Sequence, residues 1–424
     1  MAQFPKPVEG SWTQHYPELG TGLVSYEDSY SPEFYELERN AIFQRAWLNV
    51  GRVEQLPRSG SYFTRELPAL KTSILLVRAT DGQVRAFHNF CRHRGNKLVW
   101  TDCPREEVAG TARQFACKFH GWTYDLDGAC TFVQQEEEFF DLDKARFGLV
   151  PVHCEVWEGF IFVNFDREPR QALREFLGPM ITGMEGYPFD RMTDRYYFRA
   201  EVGSNWKICL DAFQEFYHAP VLHQAQLPAA VAVPRRKAGY EAPHYQIDGP
   251  HRVITTAGSL HRLWEMPPEL VRPSERVTRS GLFGPWEHPD LGELPPGVNP
   301  GGVHPWGLSS FQIFPNLAIL IWEAGFYNTY HYWPTSHGSH VFEVNVYSMP
   351  AKTARERIGR EMAMVAFKDF SLQDANTLEA TQQGLEARFT DEYPLNDQEV
   401  LCRHQHKVVG EWVDEYRRER RTKG

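Results

Sequence analysis

A chain of 424 residues, 42% hydrophobic and 24% charged, is too long for one ordinary core and too apolar to be disordered, so two or three domains are expected. Its 45 Lys and Arg against 55 Asp and Glu give a formal charge of −10, and with no basic cluster longer than that at Arg417 to Lys423, nucleic acid is not an expected partner. No apolar run is longer than that of Leu317 to Trp322, far short of the ~20 residues that cross a bilayer, and Met1 to Gly10 has no export pattern, so a cytoplasmic protein without membrane contact is expected.

Along the chain, Tyr26 to Trp47 has helical spacing and opens on Ser31-Pro32, a helix-start pair. Between Gly51 and Phe165, short runs such as Thr72 to Val77, Gln83 to Phe87 and Gly159 to Phe165 alternate with turn residues, which predicts a compact β domain. Tyr196 to Val202 reads as a strand. Asn205 to Ala219 then reads as a helix stopped by Pro220. Pro228 to Pro305, rich in Pro, Gly and His, is expected to form long loops or a lid. Strands return over Gln312 to Trp322, Phe326 to Trp333 and His340 to Ser348, and helices follow over Thr353 to Leu385 and Asp397 to Arg420. The expected division is an N-terminal helical segment (1–45), a β domain (46–166) and a larger α+β domain (167–424).

Seven cysteines, an odd number scattered over the chain, do not suggest a disulfide framework and leave some free to hold metal. Cys91-Arg92-His93 and Cys117-Lys118-Phe119-His120 lie inside the β region, each followed by a glycine (Gly95, Gly121). Together they supply two thiolates and two imidazoles, the set that holds a Rieske [2Fe-2S] centre. A structural zinc site uses the same ligand types but orders them Cys, Cys, His, His, whereas here they alternate. Cys103, Cys130 and Cys154 have no partner at ligand spacing and are expected to be ordinary thiols. Cys91 to Gly95 and Cys117 to Tyr124 resemble the Rieske oxygenases. The respiratory Rieske branch carries further cysteines where this chain has Asn96 and Phe119, and a serine where it has Trp122. A loop disulfide and a hydroxyl donor are therefore expected to be missing, and the potential to be lower.

On the expected helix, Asp211, Glu215 and His218 fall at i, i+4 and i+7, one stripe, while His223 follows Pro220 and can fold back toward His218. Two His and a carboxylate on one face of Fe(II) leave positions open for O2. Acids and His at helical spacing also mark an ordinary solvated face. The segment from Asn205 through Glu215-Phe216-Tyr217-His218 to His223, however, resembles the mononuclear-iron segment of Rieske oxygenase α subunits. That resemblance implies iron ligation by His218 and His223, with Glu215 linking an iron histidine to cluster histidine His120 of a neighbouring subunit. Many ring-hydroxylating members carry Asp at the Glu215 position; Glu occurs in members acting on other substrates, quaternary amines among them. Gln373 to Glu379 resembles the third-ligand segment, with Asp374 preferred over Asp369 and Glu379. Asp211 is expected to support the site by accepting from His218 or nearby backbone.

The resemblance implies an α+β protein: an all-β Rieske domain and a helix-grip catalytic domain, its curved antiparallel sheet gripping a helix. It further implies one [2Fe-2S] cluster and one mononuclear Fe(II) per subunit, assembly as α3 or α3β3, and hydroxylation of an aromatic or other hydrophobic substrate. A monooxygenase or demethylase acting on a quaternary amine or methoxy compound is the alternative, and a pure electron carrier a remoter one. No flavin or nicotinamide fingerprint is present, so electrons are expected from a separate NAD(P)H reductase, with or without a ferredoxin. Trp264, Trp286, Trp306, Trp322 and Trp333 are candidates for an apolar wall or a cation cage.

Overall fold

The computed structural model describes residues 12–223, 242–257 and 289–423. It divides into two compact units, residues 43–176 and residues 1–42 with 177–424.

The 43–176 unit is all β. Strands β1 (Leu48–Arg52), β2 (Ser61–Leu67), β3 (Thr72–Arg78), β4 (Val84–His88), β5 (Ala109–Thr111), β9 (Pro151–Trp157) and β10 (Phe160–Asn164) form one antiparallel sheet in the order β1-β10-β9-β4-β3-β2-β5. A three-stranded sheet of β6 (Phe115–Ala116), β7 (Thr123–Tyr124) and β8 (Cys130–Phe132) completes it. Leu75, Val77 and Phe87 of the large sheet share a buried core with Phe115, Trp122 and Tyr124 of the small one. Cys91 and Cys117 belong to the same core, so both thiols are withdrawn from water by the packing that joins the sheets.

In the other unit, α1 (Pro32–Glu38) begins where the sequence places it, the Ser31 side chain accepting from the Phe34 N–H and satisfying one orphan donor of the first turn. A seven-stranded antiparallel sheet follows the order β11-β17-β16-β15-β14-β13-β12. Its strands are β11 (Asp194–Val202), β12 (His244–Asp248), β13 (His251–Ala257), β14 (Trp306–Ile313), β15 (Leu317–Trp322), β16 (Phe326–Ser336) and β17 (Ser339–Ser348). Leu317 to Ile321 and Phe326 to Pro334 are buried at every position, because both faces are covered. Tyr327 meets Phe189 on one side, and Tyr330 meets Phe213 on the other. The long helix α4 (Ala354–Glu386) starts at Thr353, whose hydroxyl accepts from the Glu356 N–H, and α5 (Val400–Lys423) ends the chain. This is the helix-grip arrangement the sequence led us to expect.

Two expectations need correction. The predicted helix from Asn205 to Ala219 ends early: α2 covers Trp206–Ala212, and only a short α3, Ala219–Leu222, follows. Phe213 leaves helical geometry and lays its ring on the sheet against Tyr330 and Phe342 at 4.7 and 5.3 Å, tertiary burial overriding periodicity. The region from Pro228 to Pro305 is not all loop, for β12 and β13 pair through it as a hairpin turning at Gly249-Pro250. The remainder of that expectation falls largely on residues 224–241 and 258–288, outside the described residues. Among the described residues no helix is long and apolar enough to cross a membrane.

Candidate metal centres

Two loops of the β unit repeat one backbone pattern. In the first, the Cys91 N–H donates to the Asn96 carbonyl (2.8 Å) and the Gly95 N–H to the Cys91 carbonyl (3.0 Å). In the second, the Cys117 N–H donates to Trp122 (2.8 Å) and the Gly121 N–H to Cys117 (2.9 Å). Gly95 and Gly121 close these turns at φ 70° and 72°, the left-handed region where a side chain is strained. The folded loops place Cys91 and Cys117 in one buried core and bring the His93 and His120 rings to 4.6 Å between centroids. No cysteine is in a disulfide.

The donor set fits a [2Fe-2S] cluster of mixed ligation. Nδ1 of His93 is buried without a hydrogen-bond partner, an orphan that a metal would satisfy. Burial, and then the charges of His120 and Arg94, push the His93 pKa below its ordinary value, favouring the neutral ring a metal requires. Burial raises the Cys91 thiol, while the Tyr124 hydroxyl opposes it.

The second centre forms where the two ends of α3, His218 and His223, meet α4. His218, His223 and Asp374 each offer one ligand atom, all within 4.8 Å of one another. Nε2 of His218 and of His223 lie 3.5 and 3.3 Å from Asp374 Oδ1, near the ~3 Å expected of two ligands at right angles around one ion. Asp374 is 2% exposed, and its Oδ1 has no hydrogen-bond partner. Uncompensated burial of such a carboxylate beside two imidazoles is costly, and a bound cation would relieve it. The opposite ring nitrogens are held from behind. Nδ1 of His218 lies 2.5 Å from Glu215 Oε1, and Nδ1 of His223 lies 3.1 Å from Gln373 Oε1, so both rings turn Nε2 toward Asp374. Burial disfavours the charged form of His218, but the Glu215 charge and hydrogen bond outweigh it and raise the pKa.

Asp211 does not touch this trio. Because α2 stops at Ala212 the predicted stripe never forms. The Asp211 carboxylate instead takes hydrogen bonds from the Tyr26 hydroxyl and the Gln214 and Gln405 amides, and pairs with His406 at 3.1 Å. Of the alternatives to Asp374, Glu379 accepts from the Gly203 N–H and Asp369 contacts the Gln373 amide. Gln373 is the residue the sequence reading missed. Its only signal was adjacency to Asp374, and its target lies 150 positions away in the chain. Replacing it by Leu should speed loss of iron to a chelator by about 10- to 100-fold, the usual cost of removing a partner that orients a ligand, and timed iron release measures this. Of the tryptophans, Trp264 and Trp286 lie outside the described residues. Trp322 donates to Asn328 and meets Phe367 of α4, whereas Trp333 donates to Glu343. Trp333 follows Tyr332 on one strand and so points to the opposite sheet face from the Tyr330 side; it forms no cage with Trp322.

A β unit with two Cys/His loops, in one chain with a helix-grip unit that carries a two-His, one-carboxylate cluster, defines the Rieske oxygenase class. Residues 46–148 match the Rieske [2Fe-2S] domain and residues 189–415 the catalytic domain of the ring hydroxylating alpha subunit. The chain belongs to this α-subunit family, and with it come a [2Fe-2S] cluster and a mononuclear iron. The glycine betaine monooxygenase oxygenase subunit of Pseudomonas aeruginosa is 32% identical over 189 residues, 45% of this chain and 42% of that protein. The biphenyl dioxygenase alpha subunit of Paraburkholderia xenovorans is 26% identical over 323 residues, 66% of this chain and 68% of its own length. The chain thus spans about half the length of the first curated relatives it matches, 42% and 60%. Among solved structures, a quaternary ammonium Rieske monooxygenase superposes with TM-score 0.71 at 18% identity, covering 96% of this chain and 99% of that one. Naphthalene 1,2-dioxygenase from Rhodococcus sp. gives 0.70 at 18%, with 94% and 97% covered. These likenesses establish the fold.

Proposed function

We propose that this chain is the terminal oxygenase component of a multicomponent system, drawing electrons from a separate NAD(P)H reductase, with or without a ferredoxin, and hydroxylating an aromatic or other hydrophobic substrate with O2. The observation that carries this reading is the trio His218, His223 and Asp374, the last two buried and the first half-buried, in the same chain as the Cys91, His93, Cys117 and His120 loops. An electron carrier has no use for the trio. When bound, iron at the trio supplies O2 activation. The protein's own part is positional. Glu215 and Gln373 fix the two imidazoles, and Asp374 supplies negative charge. Glu215 is also the acidic group proposed to meet His120 of a neighbouring subunit, in a trimer with or without a second, smaller subunit type.

A second reading, oxidation of a quaternary amine, is favoured by glutamate rather than aspartate at position 215 and by relatives named for glycine betaine, carnitine and choline oxidation. Holoprotein with a surrogate reductase, offered aromatic hydrocarbons beside choline, glycine betaine and carnitine, separates the two. Product formation coupled to O2 uptake is expected for one class. Metal analysis should find about three irons for every two acid-labile sulfides; no iron beyond the sulfide-bound pair would overturn the oxygenase reading.

A further inference from the structure

The two cluster loops are alike in backbone and differ in what stands five positions after the cysteine: Asn96 in the first, Trp122 in the second. In both, the carbonyl of that residue holds the cysteine N–H, which fixes its side chain relative to the opposite loop. Trp122 crosses to lie parallel to His93, 5.1 Å between rings and 6° from coplanar. Asn96 crosses the other way, its Nδ2 lying 3.7 Å from Cys117 Sγ while also donating to the Lys97 carbonyl. Cys91 has its own donor in Tyr124, whose hydroxyl sits 3.2 Å from Sγ and accepts from the Arg92 N–H at 3.0 Å. That acceptance leaves the phenolic hydrogen free to point at the sulfur. The hydroxyl lost with serine at the Trp122 position is therefore not the end of side-chain donation to this centre.

We propose that Asn96 is a sulfur-directed hydrogen-bond donor that raises the cluster's reduction potential, so that with Tyr124 each cysteine ligand receives one side-chain donor from across the site. The proposal rests on the reading of Cys91, His93, Cys117 and His120 as cluster ligands. Reduction adds one electron, taking the iron pair from two ferric ions to one ferric and one ferrous with no bond broken. The added negative charge spreads onto the sulfurs, and an amide hydrogen aimed at one of them stabilises the reduced state more than the oxidised one. Asn96 suits this task because it donates without ever ionising, so its contribution is independent of pH.

The test is a dithionite titration of the full-length holoprotein followed by optical absorption and EPR. Asn96→Leu keeps the shape and removes the donor, and Asn96→Ala guards against a packing artefact. Both should lower the midpoint potential with the Rieske EPR signal intact. Tyr124→Phe should also lower it, and the double variant should lie below either single variant. In wild-type protein grown with asparagine labelled by heavy nitrogen in its side-chain amide, pulsed EPR of the reduced cluster should show a nitrogen hyperfine coupling. An unchanged midpoint in variants with an intact signal overturns the proposal, and so does absence of that coupling, even if neither variant assembles a cluster. Wild-type protein with no Rieske signal at all would instead defeat the ligand reading, a distinguishable failure.

Discussion

Asp374→Ala should empty the mononuclear iron site while leaving the cluster's visible absorption untouched. The aspartate is the single carboxylate of the trio and is almost wholly buried. Without it, two imidazoles face a divalent ion with no anionic ligand beside them. Removing an orienting partner of a ligand costs about 10- to 100-fold in affinity or activity; removing a charged ligand should cost more, so product formation is expected to fall by at least ~100-fold. Iron per chain should drop by the non-sulfide share alone. Asp369→Ala and Glu379→Ala provide the contrast, because their carboxylates contact the Gln373 amide and the Gly203 N–H and not the histidines. Both should keep the iron. If Asp374→Ala retained a full complement of iron and normal O2 uptake, the trio would not be the oxygen-activating centre.

The sequence made some of this legible and hid the rest for a common physical reason. The two Cys/His loops are local: Cys91 to Gly95 and Cys117 to Gly121 each close on themselves through hydrogen bonds spanning four or five positions, so residue order alone reveals them. Strands buried on both faces announce themselves as apolar runs, as Leu317 to Trp322 does. What escaped depends on tertiary contact. The helical spacing of Asp211, Glu215 and His218 was real, yet the Phe213 ring gains more from the sheet than from continuing the helix. The β12–β13 hairpin was hidden inside a region judged by its average Pro, Gly and His content, although Gly249-Pro250 between two short alternating runs was the local sign of a turn. Gln373 and three partners of Asp211, namely Tyr26, Gln405 and His406, are joined to their targets across 150 to 195 positions, a separation at which one sequence carries no pairing signal.

His406 should prove the most consequential residue for stability outside the metal centres. Its Nδ1 lies 2.6 Å from Asp28 Oδ2 and its Nε2 3.1 Å from Asp211 Oδ2, an imidazolium between the buried Asp28 and the half-buried Asp211 carboxylates. This joins the N-terminal segment to α2 and α5. The fully buried pair of Lys207 and Glu38, 2.5 Å apart, adds a second tie between the same segment and α2. His406→Ala leaves Asp28 and Asp211 as like charges without their shared cation, and breaking a buried ion pair from one side typically costs about 3–5 kcal/mol. Denaturant unfolding should register a loss of that size. Burial alone would lower the His406 pKa, but Asp28 and Asp211 overcome it and lift the value to about 10, above the ~6.5 of an unperturbed histidine. A raised folded-state value means that the contribution is complete below about pH 6.5 and fades as the pH climbs through about 10. For Asp28 burial acts upward, yet the His406 and Lys207 charges and the hydrogen bonds win and lower its pKa, so its share is present above about pH 4 and disappears as acid is added. Wild-type stability measured from pH 6.5 to 10 should therefore decline along a limb that His406→Ala lacks. The triple variant Asp28→Asn, Asp211→Asn, His406→Leu removes the charges together and should recover part of the lost stability, because no carboxylate is left stranded. A single variant with the wild-type slope on that alkaline limb would mean that another group titrates there and that His406 is not the cation holding the segment down.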